Sequence, residues 1–147
     1  MKKKLICILL GIVFIFCSSI SFMGCSKNKE YEYAKERIET RTGIAIPQDI
    51  ETVYHFYKYG FQDYVQYTYY KFENTPTDWL NENSFMEEKK EEFERDFHSF
   101  WSGWHWSPVP EEYQPNFENN YCPVRKGNDF LIYFPDELVL IVFLTGF

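Results

Sequence analysis

The sequence predicts a small α+β domain, in which an antiparallel sheet of about four strands carries helices on one face. Two pairs of segments, within residues 51–72 and 130–144, are rich in aromatic and β-branched residues, and each pair is joined by a short turn. The stretch between the pairs has apolar residues at helical spacing. Strand pairs separated in this way by helices are typical of an antiparallel sheet with helices packed against it.

The first element is a helix over Tyr31–Thr42. Tyr31, Ala34 and Ile38 share one face of this helix. Gly43 follows at the position where a C-cap glycine is expected.

The first hairpin joins strands at Glu51–Tyr57 and Tyr64–Phe72. Residues 58–63 contain a glycine and are predicted to form the loop. In the second strand, Gln66 and Thr68 alternate with tyrosine and valine, which predicts one wetter face. Tyrosines on both faces leave open which side packs on the core.

Two helices are predicted to follow. A short one starts at Thr75 and Pro76, since a hydroxyl residue before proline is a common helix start. A longer helix begins at a capping box at Ser84 and continues to about Trp101. Its apolar stripe consists of aromatic residues at helical spacing: Phe93, Phe97, Phe100 and Trp104.

The remaining chain is predicted to be a loop and a second hairpin. Residues 107–129 are predicted to form the loop, because three prolines within eight residues disrupt the hydrogen bonds of both helices and β-sheets. The hairpin strands are Phe130–Phe134 and Leu138–Leu144. The second of these is an uninterrupted apolar run, which is typical of a strand buried on both faces.

The N-terminal segment has the layout of an export signal. Lys2, Lys3 and Lys4 precede an apolar run, and small and polar residues lead to Gly24 and Cys25. This segment resembles a bacterial lipoprotein signal, in which a small residue precedes the cysteine that receives the lipid. The alternative is an uncleaved membrane helix, because about 20 residues are enough to span a bilayer.

The resemblance implies a signal peptide at residues 1–24, a lipidated cysteine with a short tether at 25–30, and an extracytoplasmic domain at 31–147. Two acyl chains on Cys25 would hold the protein firmly to a cell membrane. Cleavage would remove three lysines and no acids, which moves the formal net charge from −7 to −10. Such an acidic domain is not expected to bind nucleic acid, so the expected partners are the bilayer and another protein of the cell envelope.

The cysteine count implies a domain without disulfides. Cys7 and Cys17 would leave with the signal and Cys25 would carry lipid, so Cys122 alone would remain. The hydrophobic core must therefore stabilise the 123 residues left after cleavage.

An aromatic cluster gives the candidate contact site for a ligand or partner. It consists of Trp101, Trp104, His105 and Trp106, with Tyr113 in the proline-rich loop nearby. Tryptophan combines a large apolar face with a polar N–H and suits stacking on a sugar, a peptide or a lipid interface. In the other interpretation, Trp101 and Trp104 complete the core stripe and Trp106 covers the sheet edge.

No motif in the sequence requires a catalytic, metal or cofactor site. The histidines lack the close spacing of metal ligands, and Cys122 has no helix N-terminus after it to activate its thiol. Acidic pairs such as Glu111 with Glu112, or Asp136 with Glu137, are unspecific in so acidic a chain. We therefore expect a non-enzymatic interaction module, by analogy with immunity or exclusion lipoproteins. Carbohydrate or muropeptide binding and an envelope hydrolase are the alternatives.

Overall fold

The computed structural model describes residues 28–60, 63–85, 90–103 and 109–146. A five-stranded antiparallel sheet with strand order β1-β2-β5-β4-β3 lies at its centre. The strands are β1 Glu51–Tyr59, β2 Tyr64–Lys71, β3 Cys122–Lys126, β4 Asp129–Phe134 and β5 Val139–Gly146. The chain divides into two compact units, residues 1–33 and 34–147, and the sheet belongs to the second. Within the described ranges, no helix is both long and apolar enough to cross a membrane.

Helices and turns account for most of the rest of the described chain. Residues 28–42 form helix α1, of which 34–42 lie in the second unit. The others are α2 Thr77–Glu82, α3 Lys90–Gly103 and a 3₁₀ turn at Glu111–Tyr113. Gly43 ends α1 with a φ of 74°, and its N–H donates to the carbonyl of Glu39 at 2.8 Å. The predicted C-cap glycine is therefore confirmed.

The α+β class and both predicted hairpins are confirmed. β1 and β2 pair in one hairpin, and β4 and β5 in the other. A fifth strand, β3, lies inside the stretch predicted as loop. Pro123 argues against a central strand, but β3 is at the sheet edge, where a proline is tolerated.

The sheet is covered on both faces, so the expectation of helices on one face was wrong. On face one, α1 and the segments around α2 pack against alternate strand residues, including Tyr70, Leu131, Leu140 and Val142. On face two, α3 and residues of the segment 109–121 pack against the other set, including Tyr67, Ile132, Ile141 and Phe143. All eight residues of β5 are buried, as the apolar run predicted.

A charged clamp fixes α1 to face one. The Arg41 guanidinium donates through Nε and Nη2 to the two carboxylate oxygens of Asp129, at 2.8 and 3.1 Å. Nη2 also donates to the Thr145 carbonyl at 2.9 Å, and the Thr145 N–H donates to Asp129 Oδ1 at 3.0 Å. The clamp therefore joins the helix to β5 and to the start of β4.

Candidate functional site

The structure describes two of the residues predicted from sequence to form a ligand site, Trp101 and Tyr113. Trp104, His105 and Trp106 of the aromatic cluster lie outside the described residues, as does the expected lipidation site Cys25. The geometry of the candidate site is therefore that of Trp101, Tyr113 and their neighbours.

Trp101 lies near the end of α3 and packs on face two. Its ring stacks on Phe97, with centroids 5.5 Å apart and an interplanar angle of 18°. Its other ring contacts are Tyr67 on β2 and Phe143 on β5, each at 5.5 Å. The side chain is half-buried, so it continues the core stripe of α3 and keeps part of its surface in water.

Tyr113 ends the 3₁₀ turn and packs on the same face, towards β1. Its ring stacks on Tyr54 with centroids 4.9 Å apart, and meets Tyr69 edge-on at 5.3 Å. The hydroxyl of Tyr67 donates a hydrogen bond to the Tyr113 carbonyl oxygen. This bond ties the loop to the middle of the sheet.

Tyr67 brings the two predicted residues together. It is fully buried, contacts Trp101 through its ring and binds Tyr113 through its hydroxyl. We define the aromatic rim as four of the half-buried aromatic side chains near it: Tyr54, Tyr69, Trp101 and Tyr113. The sequence placed Trp101 and Tyr113 in one region, whereas the tyrosines of β1 and β2 were not predicted as part of the site.

Three tyrosine hydroxyls at this site, those of Tyr54, Tyr67 and Tyr69, are neutral around physiological pH. Burial raises the pKa of Tyr67 well above its ordinary value, and burial is also the main cause of the raised pKa values of Tyr54 and Tyr69. Their hydroxyls therefore remain protonated and can donate and accept hydrogen bonds. The rim therefore offers apolar rings together with the protonated hydroxyls of Tyr54 and Tyr69.

A buried polar network on face one was not predicted from sequence. Gln66 and Thr68 were expected on a wetter face, but both are fully buried. The Gln66 amide donates to the Ala34 carbonyl at 3.2 Å, and its oxygen accepts from Arg37 at 2.5 Å. Thr68 Oγ1 lies 2.9 Å from His55 Nδ1. Alternating polar residues along a strand usually indicate a solvent-exposed face. Here α1 covers that face of the sheet.

His55 is uncharged at neutral pH. Burial and the positive charge of Arg37 lower its pKa from 6.5 to about 4. The ring is half-buried on β1, where its Nδ1 lies beside the hydroxyl of Thr68.

The side chains considered for catalysis lie on different elements of the fold. Cys122 is half-buried in β3, and burial raises the pKa of its thiol although Lys90 partly opposes this. Few thiolates therefore form at neutral pH. Glu111 and Glu112 are exposed on the 3₁₀ turn, and Asp136 and Glu137 are exposed between β4 and β5. The described residues contain no group of three His, Cys, Asp or Glu side chains suited to hold a metal ion.

Comparison with known proteins gives no relative from which a role could be transferred. No protein-family model, no curated protein and no solved structure matches the chain.

Proposed function

We propose that this protein is a membrane-anchored lipoprotein whose extracytoplasmic domain binds another protein of the cell envelope without catalysing a reaction. The aromatic rim is the observation that carries this proposal. Four half-buried aromatic side chains meet on one face beside a loop. Tyrosine and tryptophan supply large, rigid contact areas at low conformational cost and are enriched at protein interfaces.

The rim is preorganised for binding. Tyr113 is held by its stack on Tyr54 and by the hydroxyl of Tyr67. Trp101 is held between Phe97 and the sheet. Because these side chains are already fixed by packing, a partner that binds them would lose little side-chain entropy.

The negative net charge of the chain favours a partner with a basic contact surface. The formal net charge is −7, or −10 after loss of residues 1–24. Glu111 and Glu112 are exposed in the same 3₁₀ turn, directly before Tyr113. An acidic domain attracts basic surfaces at long range, and this speeds association at low salt.

The anchor supports a location at the outer side of a cell membrane. Three lysines, an apolar run and the Gly24-Cys25 pair match the order of a lipoprotein signal. Each buried CH₂ contributes about 0.8 kcal/mol, so two acyl chains suffice without a basic patch. In cells that carry the Cys25→Ser variant, the protein should move from the membrane to the soluble fraction. Full retention of the variant in the membrane fraction, with the chain still cleaved between Gly24 and position 25, would contradict lipidation at this position.

Partner binding can be tested by cross-linking and pull-down of the full chain from native membranes. The wild type should recover a defined protein, and Tyr113→Ala should reduce its recovery because the substitution removes the ring from the rim. Tyr33→Ala is the matched control, since Tyr33 is exposed and lies outside the rim. Equal recovery by the Tyr113 variant and the wild type would contradict a role for the rim.

Carbohydrate or muropeptide binding is the second candidate. Half-buried tyrosine rings and the neutral hydroxyls of Tyr54 and Tyr69 could contact a sugar. Soluble cell-wall fragments should then change the tryptophan fluorescence of the full chain in a saturable way. A saturable change that Tyr113→Ala abolishes, together with no recovered protein, would favour this candidate over protein binding.

A further inference from the structure

The two edges of the sheet differ in how well they are protected against pairing. β3 has five residues and contains Pro123, which cannot donate a ladder hydrogen bond. β1 has nine residues and no proline. Among the described residues, four large hydrophobic side chains are exposed, and three of them lie on β1: Val53, Tyr57 and Tyr59. The edge at β1 is therefore the one suited to accept another strand.

We propose that β1 pairs antiparallel with β1 of a second copy of this chain, which joins the two sheets into one of ten strands. In the register we infer, His55 faces His55 of the second copy. Val53 is already an extra residue in the pairing of β1 with β2, and the same bulge is kept in the dimer. The other facing pairs are Tyr54 with Phe56, Thr52 with Tyr57, and Glu51 with Lys58.

Charge complementarity sets this register. Glu51 and Lys58 are both exposed, one near each end of β1. They pair with Lys71 and Val65 of β2, which are six positions apart, so both side chains point to the same face. In an antiparallel dimer, each Glu51 therefore faces Lys58 of the other copy, and symmetry forms the pair twice. Opposite charges that face each other across strands are stabilising, and like charges are destabilising.

A second copy fits this edge better than an unrelated strand does. An unrelated strand would need a base opposite Glu51 and an acid opposite Lys58 at the same spacing, which a second copy supplies by itself. At the centre, the pKa of His55 lies near 4, so two neutral rings can face each other without repulsion. Anchoring in one membrane would also raise the effective concentration of the copies.

The dimer would have a consequence for binding at the rim. A twofold axis normal to the sheet keeps face two of both copies on the same side. The two rims would then lie on one continuous surface and could bind a partner bivalently. Pairing of β1 does not require that the rim binds a protein, so either proposal can fail without the other.

Light scattering coupled to size-exclusion chromatography tests the dimer, with the full chain in a non-ionic detergent over a range of concentrations. The wild type should form a dimer. Glu51→Lys and Lys58→Glu should each weaken dimerisation about tenfold, because two attractive pairs become repulsive. The double variant should recover the wild-type affinity, and an equimolar mixture of the single variants should form a heterodimer. Lys126→Glu, on the exposed end of β3, is the control and should leave the affinity unchanged.

Three outcomes would overturn the proposal. The first is a wild type that stays monomeric at all concentrations while circular dichroism shows it folded. The second is a double variant that dimerises as weakly as the single variants. The third is a Lys126 variant that weakens dimerisation as much as the Lys58 variant does, which would indicate a general effect of charge.

Discussion

Acidification should destabilise the domain through His55. The side chain is half-buried under α1, with Nδ1 2.9 Å from Thr68 Oγ1 and the positive charge of Arg37 nearby. Its pKa falls from 6.5 in the unfolded chain to about 4 in the folded one. A histidine whose folded pKa is lowered contributes fully to stability above pH 6.5. That contribution is lost as the pH falls from 6.5 towards 4, since the unfolded state then binds the proton more readily.

The magnitude follows from the size of the shift. One pKa unit corresponds to 1.36 kcal/mol, so a fall from pH 7 to pH 5 would cost about 2 kcal/mol for a fully buried ring. Water screens the exposed part of His55, and we therefore expect about 1–2 kcal/mol. For a chain of this size, this corresponds to a decrease in Tm of several degrees.

The assay compares the wild type with His55→Gln, whose amide can bond to Thr68 but does not titrate in this range. The free energy of unfolding of the full chain in detergent is measured at pH 7 and pH 5, with tryptophan fluorescence as the signal. Carboxyl groups titrate equally in both proteins, so the difference between the two pH dependences reports His55. Parallel pH profiles of the two proteins would show that the ring is not kept neutral by the fold.

Three further predictions concern other parts of the described chain. Asp129→Ala should lower the free energy of unfolding by about 1–3 kcal/mol, measured by thermal denaturation, because it removes the buried acceptor of the Arg41 guanidinium and of the Thr145 N–H. Tyr67→Phe should cost about 1 kcal/mol, since it removes the hydrogen bond to the Tyr113 carbonyl, and should increase proteolysis of the loop that carries Tyr113. Cys122 should react with iodoacetamide at pH 7 more slowly than a free thiol, and unfolding should restore the ordinary rate.

The sequence predicted the elements better than their arrangement. The apolar run of β5 indicated a strand buried on both faces, and the structure confirms this. Such a strand needs cover on both sides, yet the helices were expected on one side only. The apolar stripe of α3 contains Phe93 and Phe97, but local spacing does not say which face of a distant sheet they meet. That is decided by contacts with Phe130 and Phe143, more than thirty residues further along the chain.

The candidate site was only partly predictable, because some of its residues are far apart along the chain. Trp101 and Tyr113 were found because aromatic residues cluster near prolines in that region. Their common contact, Tyr67, lies more than thirty residues earlier and looks like any other strand tyrosine. The polar network at Gln66 and Thr68 was missed because the partners of Gln66 come from α1, which the strand pattern cannot reveal.

Whether the rim is functional or a result of incomplete cover can be decided by experiment. On face two, α3 packs over β4 and β5 through Phe97, and Tyr113 packs on Tyr54 of β1. The aromatic side chains towards β1 are half-buried where this cover ends, so exposure alone does not show that they bind a partner. If they serve only to close the core, Tyr113→Ala should lower stability and leave partner recovery at its wild-type level. If they form the binding surface, recovery should fall even for a variant such as Tyr69→His, which keeps an aromatic ring and alters its shape and hydrogen bonding.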